Sequence, residues 1–127
     1  MRILLVALLL SFTSLAQASA EATVLAQIKA MQNESWQEAW TYASDGIRRK
    51  FGSAANFRTL VEQQYIEILE AVETDVKSTR ASERVALVVI ELLSPRFDLT
   101  EAYYILARES DEWRIISVEL RPGPPSI

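Results

Sequence analysis

The chain has no cysteine and no histidine among its 127 residues. Without cysteine there is no disulfide, no thiolate nucleophile and no cysteine-ligated metal. It also rules out a lipid attached to a cysteine at a cleavage site. Without histidine the commonest metal ligand and the commonest general base near neutral pH are missing too. Glycine is scarce, with three residues, and no glycine-rich phosphate loop occurs. Basic charge is in deficit: 13 Lys and Arg stand against 17 Asp and Glu, for a net charge of −4. Nucleic-acid binding draws on Lys and Arg to displace counterions, so a nucleic-acid partner is not expected. The basic cluster Arg48-Arg49-Lys50 reads as a solvated helix face. No metal and no cofactor are expected, and Ser14 and Ser44 have no base with which to form a nucleophilic triad.

What is present begins with an export signal. Arg2 gives a positive start, Ile3 to Leu10 is an unbroken apolar run, and Ala18-Ser19-Ala20 precedes Glu21. That is the pattern of a secretory signal peptide with an A-x-A cleavage site. A membrane-spanning helix needs about 20 apolar residues, and Ser11, Thr13, Ser14 and Gln17 break the run well short of that. The expected organisation is therefore a signal peptide over 1–20, one domain over 21–121, and a Pro/Gly-rich tail over 122–127. The mature protein would be periplasmic or secreted and would carry no membrane anchor. Cleavage removes Arg2 and no acid, so the mature chain is more acidic still.

The first half of the mature chain has helical spacing. Val24, Leu25, Ile28 and Met31 form one apolar stripe over residues 22–32. Ser35 and Glu38 have capping-box spacing for a second helix, with Trp36, Ala39, Trp40 and Ala43 inward. The two stretches also fit one bent helix. Asp45 to Phe51 is a helical turn closed by Gly52. Ser53 starts a further helix to Gln64, with Phe57, Leu60, Val61 and Tyr65 inward. Trp40 and Phe57 are expected to meet over the sheet.

From Ile66 the period changes to two. Ile66, Ile68, Val72, Thr74 and Val76 alternate with polar residues, and the break at Glu70-Ala71 implies a bulge or a late strand start. Val85 to Ile90 reads as a central strand. Leu99 to Arg108 carries Tyr103 and Tyr104 on opposite faces, and Trp113 to Leu120 closes the set with Ile116, Val118 and Leu120 on one face. Helices first and a four-stranded antiparallel meander second make an α+β fold, with helices packed on a curved sheet.

This arrangement resembles the nuclear-transport-factor-two-like cone, the cystatin-like superfamily that includes SnoaL-like proteins and ketosteroid isomerases. A narrower resemblance lies in Ala39-Trp40-Thr41-Tyr42-Ala43-Ser44-Asp45-Gly46-Ile47, Phe51-Gly52-Ser53, Asn56-Phe57 and Val61 to Tyr65, with Glu112-Trp113-Arg114-Ile115 near the end. These segments resemble a bacterial exported family catalogued only as a domain of unknown function. The superfamily resemblance implies a cavity between helices and sheet, and in the enzymes an acid there acting as base.

Among the strand acids, Glu101 shares a face with Tyr103 and Ile105 and is the candidate base. If that face is concave, Glu101 is a buried acid among apolar groups with a raised pKa. If it is convex, Glu101 is solvated, and Tyr104 with Leu106 fills the core. Arg108 and Arg114 fit either an anionic ligand or pairing with nearby acids. The candidate cavity residues are Trp40, Phe57, Leu60, Val61, Tyr65 and Tyr103. The leading reading is a non-catalytic domain that binds a small apolar ligand or a protein partner. An enzyme with a carboxylate base and a structural module that forms a homodimer are the alternatives. If the export reading holds, mass spectrometry of the exported protein should find Glu21, or a residue within two of it, at the amino terminus. Retention of Met1 to Leu10 in the mature protein would contradict that reading.

Overall fold

The computed structural model describes residues 15–125. The apolar run Ile3 to Leu10 and the end of the tail at 126–127 lie outside the described residues. Among the described residues five helices precede four strands: α1 (Leu15–Gln32), α2 (Trp36–Thr41), α3 (Asp45–Phe51), α4 (Ala54–Gln64), α5 (Ile66–Glu70), β1 (Glu73–Ala81), β2 (Val85–Leu93), β3 (Leu99–Glu109) and β4 (Glu112–Pro122). The class is α+β.

The α1 stripe starts earlier than Val24. Ala16 and Ala20 extend it at steps of four, and Ala20, Val24, Ile28 and Met31 are all buried in the core. The expected cleavage boundary after Ala20 therefore falls inside a continuous helix. Glu34 takes a left-handed backbone (φ 61°) and ends α1, so α1 and α2 are separate helices. This turn also overrides the capping box. A capping box uses the Ser35 N–H as a donor to Glu38, but that N–H already donates to the Ala30 carbonyl at 2.8 Å. The Ser35 side chain makes no cap hydrogen bond.

Two other caps form through serine. The Ser44 hydroxyl accepts the Ile47 N–H at 3.2 Å at the start of α3, and the Ser53 hydroxyl accepts the Asn56 N–H at 3.1 Å at the start of α4. Gly52 sits between these helices at φ 83°, a conformation that glycine takes without a Cβ penalty.

Residues 66–70 are helical rather than the start of a strand. Ile68 is buried, and α1 reaches over this turn: the Gln32 side-chain amide donates to the carbonyls of Ile68 and Ala71 at 2.9 and 3.3 Å. The strand proper starts at Glu73.

The sheet has order β1-β2-β3-β4, all antiparallel. Ser110 and Asp111 join β3 to β4 with both φ positive, as a two-residue hairpin of the twisted type requires. The register of β3 on β4 slips between Ile105 and Leu106: Ile105 pairs with Ser117 and Leu106 with Ile115. Ile116 is the extra residue of this bulge and is 37% exposed, whereas Ile115 is buried. The inward set on β4 is therefore Trp113, Ile115, Val118 and Leu120, not a run that includes Ile116.

All five helices lie on one face of the sheet or against each other over it. On that face Ala102, Tyr104 and Leu106 of β3 are fully buried. Above them Phe57 sits between two indoles, 6.2 Å from Trp36 edge-on and 5.6 Å from Trp40. Trp36 is the more deeply buried of the two. Truncating a buried aromatic removes its transfer free energy and leaves a cavity, a cost of about 3–5 kcal/mol. Trp36→Ala should therefore lower the urea midpoint by a large part of a total stability of about 5–15 kcal/mol. A midpoint unchanged by the substitution would contradict this packing.

Candidate functional site

A cavity of about 80 Å³ lies between the helices and the sheet. Helical spacing builds one wall: Phe57, Leu60 and Val61 of α4 stand at i, i+3 and i+4 and point the same way. Tyr65 follows at the end of α4. Ile47 and Phe51 of α3, four apart, form a second wall. The floor is Tyr104 of β3 with Ile115 and Val118 of β4, and Gln27 and Met31 of α1 close the inner end. Of the lining, Ile116 and Ser117 are exposed and Ile47, Phe51, Leu60, Tyr65 and Val118 are half-buried, which places the mouth at the β4 bulge, beside α3 and α4.

Among the described residues no charged side chain is part of this lining. The Tyr65 hydroxyl donates to the Val118 carbonyl at 3.2 Å, and the Gln27 amide donates to the Ala39 carbonyl at 3.2 Å. The Tyr104 hydroxyl is buried with no hydrogen-bond partner among the described residues. Burial pushes the Tyr104 phenol far above its ordinary pKa, and the neighbouring Tyr65 adds to the shift. It therefore stays protonated and keeps its donor.

Glu101 lies on the opposite face of the sheet. Alternation along β3 puts Ala102, Tyr104 and Leu106 toward the helices and leaves Glu101, Tyr103 and Ile105 outside. Of the two arrangements considered for Glu101, the core is filled by Tyr104 and Leu106. Yet Glu101 is not solvated, being only 8% exposed. Lys77 of β1 reaches across β2 and pairs with one carboxylate oxygen, and the Tyr103 hydroxyl donates to the other at 2.9 Å. Arg121 stacks 4.2 Å from the Tyr103 ring centre and pairs with Glu119 at 2.9 Å. The Lys77 hydrogen bond, then the Tyr103 one, hold the Glu101 carboxyl below its usual pKa. Glu101 in turn raises Lys77. Arg121 lowers Glu119, and Glu119 raises Arg121. A carboxylate held this way is a weak base, the reverse of the raised pKa that a cavity base needs.

Of the other sequence candidates, Phe57, Leu60, Val61 and Tyr65 line the cavity. Trp40 stands behind Phe57 and is not in the lining, and Tyr103 is on the outer face beside Glu101. Sequence reasoning missed Ile47, Phe51, Tyr104 and Ile115. The i, i+4 spacing of Ile47 and Phe51 was a usable signal; the inward face of β3 had none until the register was known. Arg114 pairs with Glu112 at 2.8 Å, and Arg108 lies 4.6 Å from the Trp113 ring centre, so each has a partner within its own hairpin. Among the described residues no cluster of three or more Asp and Glu could hold a metal.

Residues 14–126 match the family described as Domain of unknown function (DUF4864). The chain belongs to this family. No curated protein matches it. Among solved structures it is similar to a protein from Kribbella flavida DSM 17836, titled "known function protein". Identity is 17%, the alignment covers 84% of this chain and 88% of that one, and the TM-score is 0.54. At that identity the likeness concerns the fold alone.

The ion pair makes a signed prediction. Glu101 has a lowered folded pKa, so its contribution to stability is present above the ordinary carboxylate value and fades as pH falls through the folded one. Lys77 has a raised pKa, so its contribution is present below the ordinary lysine value and fades as pH rises through the folded one. Near neutral pH both are in force, and Lys77→Met should have a lower urea midpoint than the native protein. That gap should shrink as pH is taken below the ordinary carboxylate value of about 4.3. A gap that is independent of pH would contradict the pairing.

Proposed function

We propose that the domain is an exported, non-catalytic binding module that takes a small apolar molecule into the pocket between α3, α4 and the helix-facing side of the sheet. The observation that carries this reading is the pocket's lining, built from aliphatic and aromatic side chains with no charged group. Such lining with a few polar atoms is the usual character of a small-molecule site. The resemblance to the nuclear-transport-factor-two-like cone supports the same place, since that superfamily uses the space between helices and sheet. Export is supported by Arg2, the Ile3–Leu10 run and Ala18-Ser19-Ala20. Among the described residues no helix is long and apolar enough to cross a membrane. The enzyme alternative had Glu101 as its one argued base, and Glu101 is ion-paired on the far face.

The test uses pentane as an apolar probe and methyl-resolved NMR as the readout. Methyl signals of Leu60, Val61, Ile115 and Val118 should shift on titration, while those of Leu87 and Val89 on the outer face should not. Leu60→Trp puts a large ring at the mouth and should weaken pentane binding by tenfold or more, a change of about 1.4 kcal/mol. A native protein whose pocket methyls do not respond, or a Leu60→Trp variant that binds as well as the native one, would overturn the reading.

A further inference from the structure

Among the described residues, Tyr104 is the one cavity-lining residue with a fully buried side-chain polar atom that has no hydrogen-bond partner. Buried hydroxyls are nearly always hydrogen-bonded, because losing water without gaining a partner is unfavourable. Tyr65, the other phenol of the lining, obeys this by donating to the Val118 carbonyl. Tyr104 is fully buried and does not. The Trp36 and Trp113 indoles also lack partners, but neither lines the cavity. A phenylalanine would fill the same volume without stranding a hydroxyl. The position thus carries a donor that the folded chain itself has no use for.

We infer that the pocket's ligand is a neutral molecule whose apolar end carries a carbonyl or hydroxyl oxygen, and that this oxygen accepts a hydrogen bond from Tyr104. The inference rests on the pocket reading above. Neutrality follows from the lining. A carboxylate or phosphate would enter without any Lys or Arg to meet it, and a cation without any acid, and burying an unpaired charge is prohibitive. Tyr104 keeps its proton, so it serves as the donor. Size limits the buried part. A cavity of about 80 Å³ is smaller than the engineered cavity of about 150 Å³ that takes up benzene. Only the oxygen-bearing end of a ligand enters, and the remainder lies at the mouth against Phe51, Leu60 and Ile116.

Three probes of one length separate the cases: pentane, 2-pentanone and pentanoate, titrated into the native protein and Tyr104→Phe. Native protein should bind pentane and 2-pentanone and reject pentanoate. Tyr104→Phe should weaken 2-pentanone relative to pentane by roughly 2- to 10-fold, the range of one net hydrogen bond. A second readout avoids the variant: 2-pentanone, and not pentane, should shift the carbon-13 signal of the Tyr104 ring carbon that bears the hydroxyl. Equal losses for ketone and alkane in Tyr104→Phe, no shift of that carbon with the ketone, or pentanoate bound as tightly as 2-pentanone would each overturn the inference while leaving the pocket in place. Failure of all three probes to bind folded native protein would overturn the pocket reading and this inference together.

Discussion

Along β3, successive side chains must point to opposite faces of the sheet, and that rule decides what every other part of the domain does. Ala102, Tyr104 and Leu106 take the side on which the helices pack and become fully buried. Glu101, Tyr103 and Ile105 are then committed to the other side. A slip of one residue would exchange the two sets, burying a carboxylate under the helices and exposing Tyr104, the largest fully buried side chain. Register is therefore held from both sides, by β2 over Leu99 to Ala107 and by β4 on either side of the Ile116 bulge.

The same rule separates two kinds of chemistry. The helix-facing side is apolar, and its cavity lies where side chains of α3 and α4 face Tyr104, Ile115 and Val118 of the sheet. The outer side carries the Lys77–Glu101 and Arg121–Glu119 ion pairs. Lys77 sits where the β1 register slips between Val76 and Ser78. A bulge of this kind re-aims a side chain, and here the lysine crosses β2 to meet Glu101 on β3. The pair ties an edge strand to the middle of the sheet. A lysine on an edge strand also discourages pairing with another chain.

Much of this is readable from the residues, for physical reasons that differ by element. The helix boundaries at Ser53 and Gly52 and the hairpin at Ser110-Asp111 follow from local chemistry, so they are legible. The helix side of the cavity is legible too, since Phe57, Leu60, Val61 and Tyr65 share one face at helical spacing. Residues 66–70 are not: five residues with Ile66, Ile68 and Leu69 satisfy a strand period and a helical turn equally, and the Gln32 contact from α1 settles the matter. The capping box at Ser35 was overridden by a backbone bond from the preceding helix end. Alternation alone puts Ile116 on one face with Val118 and Leu120, because it cannot reveal an inserted residue. Glu101 was hardest, since its environment comes from Lys77, a residue 24 positions away that no local pattern connects to it.

The division of the two faces is tested most directly by a carbon-13 NMR titration of the Glu101 carboxyl. On the outer face, paired with Lys77 and Tyr103, it should titrate below the ordinary glutamate value of about 4.3. A pKa above that value would mean a carboxyl desolvated among apolar side chains, and would contradict the placement of Tyr104, rather than Glu101, in the cavity.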